Sequence, residues 1–227
     1  MIISYSKKIF FIHIPKCGGT SFLEILKNWF GKKLYLHYYD EKTITKPKKL
    51  KLKKTFSNSY ISDLCIHGHF NKSRGFGISD YYPGIKQFIT ILRDPVEMQI
   101  SRYFHWKKQI ETGNDLRDGQ KIYFEYKNID DFLDKTNSAM LLHFPKEITN
   151  DNYVECIDSN FIHIGVINDL QNSVNKIADK LRKPRIAISH NNPSERTENP
   201  SASTIKRFME KSKLEYKIYN YALKLND

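Results

Sequence analysis

Cysteine is scarce in this chain of 227 residues: Cys17, Cys65 and Cys156 are the whole supply. Three cysteines, far apart and odd in number, make neither a disulfide framework nor the paired spacing of a metal site. They suit a reducing compartment. Long apolar runs are missing as well. No stretch approaches the roughly 20 apolar residues that span a bilayer. The opening residues 1–8 lack the apolar core of a secretory leader. The sequence therefore predicts a soluble, cytoplasmic protein without a transmembrane segment. There is no internal repeat, no recognition-helix pattern, no RNA-binding sheet motif and no zinc spacing, which argues against nucleic acid as the partner. Acidic residues are few beside basic ones, 25 against 37, for a net charge of +12. Such a surface favours anionic partners, whether nucleic acid, an anionic membrane surface touched peripherally, an acidic glycan or a phosphorylated nucleotide. The alternative is that many lysines form only a solvated surface.

What is present is a globular composition. Hydrophobic residues make up 40%, with 14 Tyr and 14 Phe, enough for a core within one domain spanning residues 1–227. Short apolar runs at 9–14, 34–38, 64–66, 87–92 and 161–167 read as strands. Helical spacing covers 20–30, with Thr20 or Ser21 as its cap, and 95 to about 111, with Pro95 in the first turn. Further helices are expected over 129–144, from Asp169 through Leu181, and over 204–225 as one long element. Residues 185–189 read as another strand. Residues 42–54 read as a loop or an exposed helix, and 71–84 and 113–120 as loops. Strands alternating with helices predict an α/β fold with a mainly parallel sheet. Ligands of such sheets bind beyond the carboxyl ends of the strands, where the segments 15–21, 67–69 and 93–101 would converge.

The stretch His13-Ile14-Pro15-Lys16-Cys17-Gly18-Gly19-Thr20-Ser21 runs from a strand into a helix. Glycines let the backbone approach a ligand closely. Backbone N–H groups, two hydroxyls and the Lys16 ammonium then face one spot, which suits a phosphate. It is not a Walker A loop, because Lys16 precedes the glycines. No strand-end acid for Mg²⁺ is evident, which weighs against the alternative of a phosphate-loop kinase of small molecules or nucleic acid. A second motif holds Arg93 at a strand end and Ser101 about two helical turns on. A guanidinium fork and a hydroxyl can hold one phosphate. Equally, Arg93 can pair with Asp94 or Glu97 at a capped helix start. The third motif, His67-Gly68-His69, reads as an exposed turn. No Cys or acidic cluster completes a metal set there, so no metal is expected. A histidine at a strand end is often structural, but it is also the usual base near neutral pH. His37, Asp40 and Glu41 are competing bases.

The order Pro-Lys-x-Gly-Gly-Thr-Ser resembles the 5′-phosphosulfate loop of sulfotransferases that use 3′-phosphoadenosine 5′-phosphosulfate (PAPS). Arg-Asp-Pro-x-Glu-x-x-x-Ser-x-Tyr, from Arg93 to Tyr103, resembles their 3′-phosphate motif. The His-Gly-His turn is similar to that of the uronyl (heparan or dermatan sulfate) 2-O-sulfotransferase branch. The resemblance implies a P-loop-like three-layer fold and sulfuryl transfer from PAPS to a hydroxyl of a saccharide or glycoconjugate. It implies nucleotide binding by Lys16, Cys17, Gly18, Gly19, Thr20, Ser21, Arg93 and Ser101, with Arg196 and Thr197 from a closing loop. It puts the general base on His69, with His67 as its helper and Lys16 on the leaving phosphate. The chain departs from the pattern at Cys17, where Thr is frequent and a thiol suggests redox sensitivity, and at Met98, where Arg is frequent. Residues 42–54, 71–84 and 113–127 are what remains for the acceptor.

Overall fold

The computed structural model describes residues 8–40, 43–51, 64–112, 126–188 and 196–227. Five strands form one parallel sheet: β1 (Lys8–Ile12), β2 (Leu34–His37), β3 (Leu64–Gly68), β4 (Phe88–Leu92) and β5 (Phe161–Val166), in the order β2-β3-β1-β4-β5. β1 lies at the centre, with Phe11 opposite His67 on one side and Ile89 on the other. β1, β4 and β5 are apolar at nearly every position because helices cover both faces of the sheet. Alternate side chains of β1 serve opposite faces. Ile9 and Phe11 pack with α1 (Gly19–Phe30) and α6 (Leu170–Leu181); Phe10 and Ile12 pack with α2 (Ile78–Tyr81), α5 (Tyr153–Asn160) and α8 (Lys213–Asn226). The result is the P-loop-like three-layer α/β fold that the sequence predicts. A third apolar cluster joins α3 (Pro95–Glu111), α4 (Ile129–Lys135) and α7 (Ala202–Lys211) through Ile100, Phe104, Phe132 and Phe208.

Several expected elements differ. The helix predicted over 129–144 ends at Lys135, and a 3₁₀ turn (Met140–His143) follows separately. Between them lies Thr136-Asn137-Ser138, whose polar side chains compete for backbone groups. The Thr136 hydroxyl donates to the Phe132 carbonyl at 2.7 Å, and Gln99 donates to the Asn137 carbonyl. The long C-terminal helix is two helices, parted at the buried Ser212. Its two halves have different partners. Phe208 of α7 packs onto α3 and α4, whereas Ile218, Tyr219 and Ala222 of α8 pack beneath the sheet. Arg207 grips Asp134 at 2.6 and 2.9 Å, and Lys211 donates to the Leu133 and Asp134 carbonyls at the end of α4. One straight helix cannot meet both surfaces. Residues 185–188 are not a strand. The Gln171 side chain binds the Ile186 carbonyl and the Ile188 N–H instead. The segment 71–84 carries a 3₁₀ turn and α2, and α5 has no counterpart among the predicted elements. Residues 41–42, 52–63, 113–125 and 189–195, and with them the readings placed on Glu41 and Ser189, lie outside the described residues.

Candidate active site

The loop after β1 is built by three local constraints. The His13 N–H still pairs with the Gly68 carbonyl at 2.8 Å, so β1 stays bound to β3 past its last strand residue. Lys16 and Gly18 then adopt positive φ, 68° and 75°, turning the chain back toward α1. For Lys16 this left-handed conformation costs roughly 1–2 kcal/mol. The Arg93 guanidinium donates to the Lys16 carbonyl at 3.4 Å and helps hold it. Gly18 itself occupies the cap position, and no side chain caps α1. Thr20 and Ser21, expected as caps, lie one step further on, inside the first turn. The opening N–H groups of α1 thus have no partner within the helix, and its positive dipole end faces the loop. Cys17 is buried, with the Arg93 backbone N–H against its sulfur, and burial pushes its thiol up to about 12. The thiol stays protonated and covered, so the expected redox sensitivity is not supported.

Positive charge accumulates around this loop. Burial, then repulsion from Arg93 and Arg102, lowers the Lys16 pKa. Arg93 also pairs with Glu97 at 3.3 Å, as a capped helix start would allow. Asp94 provides the cap, accepting from the Val96 and Glu97 N–H groups. Glu97 is shared, because Arg196 grips it through both guanidinium nitrogens, one at 3.2 Å. Burial opposes ionisation of Glu97, but the two arginines hold its carboxyl below the usual range. Thr197 accepts from Lys107 at 3.4 Å, so this segment is tied to α3. Ser101 is buried on α3, and among the described residues no hydrogen bond joins it to Arg93. Its neighbour Arg102 is half-buried and acts electrostatically on Lys16, Cys17 and His143. Met98, where an arginine was the alternative, is fully buried and packs in the core beneath the sheet.

Beside the cations lies a layer of histidines. His67 is not at an exposed turn: it sits inside β3 and is wholly buried. Gly68 follows because a Cβ there would lie 2.0 Å from the His37 carbonyl of β2. His69, half-buried, donates through Nδ1 to the His13 carbonyl at 2.8 Å. A carbonyl only accepts, so in neutral His69 the lone pair is on Nε2. His143, from the 3₁₀ turn, donates to the His69 and Phe70 carbonyls, the latter at 3.1 Å, and braces Phe70 at a φ of 29°. The Tyr38 hydroxyl bridges His13 Nδ1 and His67 Nδ1, each at 2.8 Å. His37 is buried against the Phe70 ring, and Asp40 pairs backbone to backbone with Thr45.

A family model for sulfotransferases matches residues 1–222. The chain belongs to the sulfotransferase family. No curated protein matches it. Among solved structures it is similar to mouse sulfotransferase SULT7A1 complexed with PAP, at 14% identity and a TM-score of 0.44. The match covers 90% of this chain and 62% of that one. Among the described residues no cluster of His, Cys, Asp or Glu could hold a metal, and no helix is long and apolar enough to cross a membrane. The sequence motifs pointed to Lys16, Arg93, Arg196 and His69, which the structure brings around one end of the sheet. They missed His13, Tyr38, Arg102 and His143.

The fold buries His37, His67, His143 and His163 and half-buries His13, which makes it sensitive to acid. Burial lowers His13 to about 2, His67 to about 3, and His37, His143 and His163 to about 4. In the unfolded chain each titrates near 6.5, at about the model-peptide value. Between those limits the unfolded chain binds more protons, so stability is full above about pH 6.5 and falls as the pH drops. Each histidine removes up to about 1.4 kcal/mol per pH unit in that window. Denaturant midpoints at pH 7.5, 6 and 5 are expected to decline steeply. A flat midpoint would contradict the neutral, buried assignment.

Proposed function

We propose that this sulfotransferase moves a sulfuryl group from PAPS to a hydroxyl of a saccharide or glycoconjugate, with His69 as general base. The observation that carries the reading is the His69 Nδ1 bond to the His13 carbonyl. It leaves Nε2 as the basic nitrogen, one residue past β3 and directly beside the loop that holds Lys16. The cations fit a nucleotide with two anionic ends: Arg93 and Arg196 meet at one carboxylate, Glu97, and Lys16 lies within electrostatic reach of Arg93 and Arg102. PAPS supplies the sulfuryl group and leaves as PAP, the desulfated nucleotide.

In this reading Lys16 and the opening N–H groups of α1, from Gly19 to Ser21, hold the 5′ end. Lys16 neutralises charge that grows on the leaving oxygen. Arg93 and Ser101 hold the 3′-phosphate, and Arg196 and Thr197 close over it. Cys17 and Gly18 contribute backbone. His69 takes the hydroxyl proton, and His67 supports the layer from within. Residues 1–227 act as one catalytic domain. The buried, unpaired cysteines suit a reducing compartment, and we place the enzyme in the cytoplasm.

Calorimetry with two nucleotides tests the 3′ assignment. Arg93→Ala should weaken PAP binding by about 1.5–3 kcal/mol, the range for hydrogen bonds to a charged group. Adenosine 5′-phosphosulfate, which lacks the 3′-phosphate, should lose far less. Equal losses refute the role of Arg93. Transfer of label from PAPS across a panel of glycans then identifies the acceptor, and a panel without any labelled product removes the saccharide reading.

A further inference from the structure

The Tyr38 hydroxyl lies between two histidine nitrogens, His13 Nδ1 and His67 Nδ1. One hydroxyl carries one proton. It can donate to only one ring, so the other ring must donate to it. The direction follows from the far side of His67. Its Nε2 is buried and has no hydrogen-bond partner among the described residues. A proton there would be an orphaned N–H, a costlier defect than a bare lone pair. His67 therefore carries its proton on Nδ1 and donates to Tyr38. Tyr38 donates to His13 Nδ1. His13 must then carry its own proton on Nε2.

The position of that nitrogen is marked by Gly19, the first residue of α1. A Cβ added to Gly19 would lie 1.9 Å from His13 Nε2 and 2.0 Å from Cδ2. The imidazole occupies the space of the missing side chain, at the same helix end as the opening N–H groups. Glycine at this position is thus explained by a side chain rather than by backbone conformation, since its φ is not positive. His13 is half-buried, and its ring stacks on His69 at 4.4 Å between centroids. It remains neutral in this arrangement. A charged ring would leave the Tyr38 hydroxyl accepting from both sides, with its own proton unplaced.

We infer that His13 is a further binding residue of the phosphate loop, whose Nε2–H, aimed by the His67–Tyr38 relay, donates a hydrogen bond to the anionic 5′ end of the nucleotide. The inference rests on the nucleotide assignment above. It makes Tyr38 and His67 positioning residues that act through His13.

Two measurements test it. In protein labelled with ¹⁵N-histidine, the wild-type His13 ring should show the proton on Nε2 and the lone pair on Nδ1. The opposite tautomer overturns the inference and requires no variant. The second measurement compares PAP with 3′-AMP, which lacks the 5′-phosphate. His13→Phe keeps an aromatic ring and removes both nitrogens. It should weaken PAP about 10- to 100-fold, as expected for a hydrogen bond to a charged group, and leave 3′-AMP unchanged. Tyr38→Phe, a milder change, should weaken PAP in the same selective way but less. If wild type prefers PAP and both variants keep that preference, the role of His13 is refuted while the nucleotide reading stands. If wild type does not distinguish PAP from 3′-AMP, the loop does not bind a 5′-phosphate and both readings fall.

Discussion

His69→Ala should reduce turnover by roughly 10²–10⁴-fold, the usual contribution of a general base, while PAP affinity falls far less. The separation follows from the geometry. His69 is bound to the His13 main chain, whereas Arg93 and Arg196 sit with Glu97 on α3. The substitution removes the Nδ1 bond to the His13 carbonyl, worth about 1 kcal/mol, together with the ring contacts on His13 and Tyr38, so a denaturant midpoint accompanies the comparison. His67→Ala should behave differently. His67 is fully buried, so its loss opens a cavity and lowers stability as well as activity. Turnover in His69→Ala close to wild type, with loss instead in variants of His37 or Glu41, moves the base to that residue. His37 is the weaker competitor, since it is enclosed against Phe70 and lowered to about 4 by burial.

Lys16→Ala is expected to cut turnover by roughly 10²–10³-fold, as for removal of one group that stabilises developing charge. PAP affinity should fall far less, because the charge that Lys16 meets is largest as the bond breaks. Lys16→Gly separates chemistry from strain. Glycine accepts the φ of 68° that lysine is forced into, so this variant should be at least as stable as wild type and equally slow. Normal turnover with a raised KM in either variant would make Lys16 a binding residue only. A marked loss of stability in Lys16→Gly would show that the side chain, not the strained backbone, holds the loop.

The two strand-turn-helix segments behind the proposed nucleotide site were legible because each is contiguous. A strand, a turn and a helix start follow one another in 8–21 and again in 88–97. The histidine layer was not legible in the same way. His13, Tyr38 and His67 come from the ends of three strands, and only the order β2-β3-β1 makes them neighbours. His143 arrives from a turn that periodicity merged into a helix. The His-Gly-His stretch reads as exposed because a strand that carries histidine inward does not look apolar. The break at Ser212 was hidden for a related reason. Helical spacing continues through it, and only the two separate surfaces that α7 and α8 cover divide the segment. Arg102 stood in the Arg93 motif but was passed over, since its meaning depends on Lys16 across the fold.

α3 fixes these groups in phase as well as in place. Glu97 and Ser101 are four residues apart on one face, and Arg102 follows beside them. The Arg196 contact on Glu97 locks a distant segment to the same rod. Inserting one residue between Glu97 and Ser101 would rotate everything downstream by about 100° and carry Arg102 away from Lys16 without replacing a single side chain. The spacing within α3 is therefore as restricted as its composition. Segments of the chain that do not set this phase are free to change length, and that is where relatives with other acceptors are expected to differ.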